Sequence, residues 1–77
     1  MPDQRRYYEK LIRQALDAKS ILAMAIRQLG QANNIVRSMD KGVFHVDNRY
    51  ISQALNAIYS QQDELKDVIS TYRSELR

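Results

Sequence analysis

The chain has 77 residues, 12 Lys and Arg against 9 Asp and Glu, two Gly, one Pro and no Cys. That length allows one domain at most, with a core too small to stand without a staple, a metal or a partner chain. The missing cysteine excludes disulfides, thiolate metal sites and a cysteine nucleophile, which fits a reducing compartment.

The first element is expected as a helix over about residues 3–41. Pro2 and Asp3 suit a first helical turn, where the lost N–H is unneeded and an acid complements the helix dipole. Arg5-Arg6-Tyr7-Tyr8 follows. From there Tyr8, Leu11, Ala15, Ala18, Leu22, Ala25, Leu29, Ala32, Val36, Met39 and Val43 alternate at spacings of three and four. This is a heptad seam of about five repeats, which fits one face of an α-helix and no strand. The alanines at 18, 25 and 32 let a neighbouring helix come close, while Ile12, Ile21, Ile26 and Ile35 flank the seam and widen it. A stripe that wide suits a helix with more than one neighbour. Gly30, Asn33 and Asn34 are poor helix formers. The seam nevertheless keeps its phase across Gly30, and a continuous helix is expected.

Asp40-Lys41-Gly42 ends that helix, with Gly42 in the C-cap position. Residues 42–47 read as a short apolar loop, and Asp47 or Asn48 as the cap of a second helix over about 48–76. Ile51, Ala54, Leu55, Ile58, Leu65, Val68, Ile69, Tyr72 and Leu76 share one face of it, interrupted by Gln61 and Gln62. The architecture expected is therefore all-α: a long antiparallel two-helix hairpin forming a single domain over 1–77, pairing into a four-helix bundle or clasping a foreign helix. At 1.5 Å per residue the helices would be about 57 and about 43 Å long. A tight loop would leave about nine residues of overshoot, Arg5 to Tyr8 among them.

Nothing in the sequence points to a reaction. His45 is the lone histidine and has no second His or Cys to complete a metal site. Asp63, Glu64 and Asp67 share a surface with Lys66 and read as a solvated face. No glycine-rich phosphate loop, nucleophile elbow or zinc-helix motif occurs. No catalytic residue, metal or cofactor is expected. No apolar run approaches the roughly 20 residues that span a bilayer. Residues 1–10 lack the apolar core of a signal peptide, so a cytoplasmic location without membrane or small-molecule partners is expected.

The partner-binding residues expected are the seam, Tyr8, Leu11, Ala15, Ala18, Leu22, Ala25, Leu29, Ala32, Val36 and Met39, engaging a copy of the chain as dimer or tetramer or another helical protein. Net charge is +2 over residues 1–13, +1 over 14–47 and zero over 48–77, so the basic end is the N-terminus. There Arg5, Arg6, Lys10 and Arg13, with Tyr7 and Tyr8, could grip nucleic-acid phosphates or rim a protein contact.

Three families share features with this chain. Gly30-Gln31, Ile35, Arg37, Gly42, Phe44 and Asp47 resemble a run of the copper- and formaldehyde-sensing repressors (CsoR and FrmR type). That resemblance implies an all-α dimer or tetramer on operator DNA. The ligand positions of that family fall on His45, Ser70 and Ser74, so metal sensing is not implied. Glu9-Lys10-Leu11-Ile12, Ala18-Lys19, Leu55-Asn56-Ala57-Ile58 and Tyr72-Arg73 look similar to the small hairpin co-chaperones of type III secretion needles (YscE and SsaE type). This implies pairing with a second chaperone to keep a needle subunit from polymerising. Gly42 and Ser52-Gln53-Ala54-Leu55-Asn56 are similar to the sporulation aspartyl-phosphatase hairpins, with Asn56 where that signature has aspartate. The function expected is a non-enzymatic helical interaction module, chaperone, adaptor or small regulator. The alternative is an all-α DNA-binding repressor without the cysteine ligands.

Overall fold

The computed structural model describes residues 2–39 and 46–77. They form two helices, α1 (Pro2–Ser38) and α2 (Arg49–Glu75), packed antiparallel as a hairpin, with no strand among the described residues. Gly42, Val43 and His45 lie outside the described residues, and so does the C-cap expected at Gly42.

α1 runs unbroken through Gly30, which has a helical backbone. The apolar phase on both sides of that glycine outweighs its local propensity, because tertiary packing contributes more to a helix than propensity does. α1 ends three residues earlier than the 41 expected. The Ser38 hydroxyl donates to the Ile35 carbonyl at 2.9 Å, and the Met39 amide to the Val36 carbonyl at 3.3 Å. These bonds satisfy carbonyls that a helix end leaves unpaired. At the start of α2 the two capping candidates divide the work. Asp47 Oδ1 accepts the Arg49 amide at 3.0 Å, whereas the Asn48 side chain donates across the hairpin to Asn33 Oδ1 at 2.7 Å.

Three contacts set the register. The Tyr8 and Tyr72 rings stack with centroids 4.8 Å apart, Gln62 Nε2 donates to the Lys19 carbonyl at 3.1 Å, and Asn33 holds Asn48. Each step along α1 therefore matches one step back along α2. This corrects the overshoot expected at the N-terminus. Tyr8 is packed on Tyr72 rather than projecting, because the Asn33–Asn48 contact lets residues 34–38 run past the start of α2.

The interior is thin. Among the described residues only Ile12, Ala15 and Ile69 are buried, with Leu65, Val68, Tyr72 and Leu76 packed against them. The rest of the seam from Tyr8 to Val36 is half-buried. The molecule measures 65 × 15 × 14 Å with a radius of gyration of 18.2 Å. A compact chain of this length would have a radius near 11.5 Å, so the hairpin is a rod.

Two substitutions test this packing. A Cβ placed on Gly30 meets nothing within 4 Å. Gly30→Ala is expected to stabilise the hairpin by about 0.5–1 kcal/mol in urea unfolding. An unchanged or lower midpoint would contradict a continuous α1. Gln62 Oε1 is buried with no hydrogen-bond partner. A buried orphan acceptor costs about 1–3 kcal/mol, and the Lys19 carbonyl keeps its place in the α1 ladder without the amide. Gln62→Leu should therefore raise stability by about 1–2 kcal/mol in the same assay.

Candidate interaction surface

The seam residues turn inward on their own hairpin. Ala15 is buried, and Tyr8, Leu11, Ala18, Leu22, Ala25, Leu29, Ala32 and Val36 are half-buried along the line where α2 is the only other element. Met39, at the end of the seam, is exposed. The helix that covers most of these residues is thus α2 of the same chain.

A second apolar stripe on α1 has no such cover. Ile21 is 61% exposed, Met24 54% and Ile35 64%. With Gln28 and Gln31 they follow the spacing three, four, three, four, so they share one face of α1 beside the seam. Of the four isoleucines expected to widen the seam, Ile12 is buried and Ile26 half-buried, whereas Ile21 and Ile35 face outward. The sides of the hairpin follow from its polar contacts. Lys19 and Asn33, which meet Gln62 and Asn48, lie on one flank of α1, and the stripe lies on the other. On α2, Tyr50 lies on the flank away from Gln62 and Asn48, and so on the same side as the stripe. It is 72% exposed, with the Arg49 guanidinium 5.2 Å from its ring centroid. Leu16 and Tyr59 are exposed on the opposite side.

Charge marks the same region. Residues 20–36 carry a single charge, Arg27, and residues 50–62 carry none, although 27% of the chain is charged. The register places these two segments side by side. Residues 20–31 of α1 and 50–61 of α2 therefore form a nearly neutral band about 18 Å long at 1.5 Å per residue. Exposed helix faces of a free monomer normally carry charged side chains, and charge is depleted where protein meets protein.

The N-terminal tip is different. Arg5, Arg6, Lys10 and Arg13 are all exposed. Arg5 Nε pairs with Glu9 at 3.2 Å. Arg6, Lys10 and Arg13 line a shallow groove together with Glu9, Gln14 and Asp17. Acidic residues interleave with the basic ones and weaken any field for phosphates. Tyr7 is exposed beside Tyr8. Among the described residues no three His, Cys, Asp or Glu side chains group as metal ligands, and no helix is long and apolar enough to cross a membrane.

Comparison with known protein families, with curated proteins and with solved structures found no match.

The neutral band generates a prediction of its own. Its exposed apolar side chains contribute little to the hairpin, since little of their area is removed from water within it. Ile21→Gln is expected to change the unfolding free energy of the dilute chain by less than about 0.5 kcal/mol, against about 2–4 kcal/mol lost in Ile69→Ala. Comparable losses from both would mean that Ile21 is packed.

Proposed function

We propose that this chain is a non-enzymatic interaction module that works by helix-on-helix pairing, in the manner of a chaperone, an adaptor or a small regulator. The observation that carries this reading is the neutral band. In and beside it Ile21, Met24, Ile35 and Tyr50 stand exposed on one side of a rigid hairpin, in a stretch with one charged residue on α1. A rod with a thin interior and a wide apolar arc gains most by burying that arc against another helix. The reading is tested with a photo-reactive residue at Met24 or, as a control, at exposed Asp63, in the cells of origin. Irradiation should give an adduct of discrete mass from position 24 and none from position 63. An unreacted chain at both positions would remove the reading.

A second reading, a DNA-binding regulator, has its support in the exposed Arg6, Lys10 and Arg13 on one strip of α1. Three phosphate contacts predict a salt slope near −3 on a log–log plot, reduced by about one unit in Lys10→Gln. Absence of binding to duplex DNA at about 50 mM salt would exclude it.

A further inference from the structure

We propose that the stripe from Ile21 to Ile35 is the contact between two copies of this chain, packed antiparallel about a two-fold axis at Gln28 into a four-helix bundle. The proposal rests on the interaction reading above and names its partner, its face and its register.

The stripe is arranged to fit itself. Ile21 and Ile35 stand seven residues to either side of Gln28, which is two helical turns each way. A two-fold axis at Gln28 sets Ile21 against Ile35 of the partner subunit, and Ile35 against Ile21 of the partner subunit. It also brings the two Gln28 amides together, where each can donate to and accept from the other. Met24 comes level with Gln31 of the partner subunit, which shares the stripe, and its flexible thioether can pack along that side chain. An isologous contact of this kind needs a surface complementary to itself. An uncharged stripe meets that condition, because no like charges are brought together; Arg27 lies outside it.

Charge also selects the direction. Parallel pairing would place Arg5, Arg6, Lys10 and Arg13 of both copies at one end. Antiparallel pairing about Gln28 separates the two Arg5 residues by about 70 Å at 1.5 Å per residue, many Debye lengths at physiological salt. Tyr50, on the same side of the hairpin, widens the contact from one helix to two.

The surface of the lone hairpin leaves room for such a contact. Its accessible area is 6375 Å², whereas a compact monomer of 9.0 kDa would expose about 4,900 Å². A standard interface removes about 800 Å² from each partner, which is about half of the excess. Pairing side by side along the neutral band removes it over the levels that the two staggered hairpins share.

The experiment is sedimentation equilibrium on the purified full chain, with circular dichroism on every variant. The mass expected is twice the 9.0 kDa of one chain. Ile21→Asp and Ile35→Asp, at positions exposed in the hairpin, should each keep the helical spectrum and raise the dimer dissociation constant by about 100-fold or more, since each change occurs twice per interface. Tyr59→Asp, on the other side, should leave the constant unchanged. Gln28→Glu and Gln28→Lys should each weaken the dimer by about tenfold, and an equimolar mixture of the two should recover it as a heterodimer. A monomer, a larger assembly, a dimer indifferent to Ile21→Asp and Ile35→Asp, or a mixture that fails to recover would overturn the proposal. A monomer that still gives a cross-link from position 24 to a different protein would overturn this inference and leave the interaction reading standing.

Discussion

Two helices lying side by side share one line of contact, and that constraint governs the rest of this molecule. A sheet or a third helix would close over the apolar arc of α1; a single neighbour covers only the strip that faces it. Three buried side chains, Ile12, Ala15 and Ile69, are what the single line yields among the described residues. The alanines of α1 make the approach close, but each contributes little area. Burial at about 25 cal/mol per Å² therefore accumulates slowly along the rod. The same geometry leaves Ile21, Met24 and Ile35 in water although they belong to the same apolar arc as the seam.

The hairpin has two unlike sides. One carries the polar contacts, Gln62 to the Lys19 carbonyl and Asn48 to Asn33. A buried amide with an orphan oxygen is a poor source of stability, but it can discriminate between registers, as single polar residues do in coiled-coil seams. The other side carries apolar groups with no polar fixture to fill. The unlike sides give the rod a front and a back, with the apolar stripe in front.

Charge is distributed along the rod in the same sense. The N-terminal tip of α1, the C-terminal half of α2 and the residues flanking the loop hold nearly all the charged residues, while residues 20–36 and 50–62 between them hold one, Arg27. Charged ends keep the chain in solution, and a neutral waist lets helices approach without desolvating ions. This pattern was open to inspection in the sequence, as two charge-poor runs of 17 and 13 residues, but each is unremarked until the register places them at one level.

Read alone, the chain determined its two helices and the continuity of α1 across Gly30, because heptad periodicity is local and long enough to outweigh one glycine and two asparagines. It singled out the Tyr8–Met39 seam, which is apolar throughout where the Ile21–Ile35 stripe is interrupted by Gln28 and Gln31, but it did not determine which helix would cover that seam. The choice belongs to the position of α2, set by contacts between residues dozens of places apart: Tyr8 with Tyr72 and Lys19 with Gln62. The offset at the loop and the division of labour between Asp47 and Asn48 were decided in the same way, by one amide that found a better partner across the hairpin than at its own helix end.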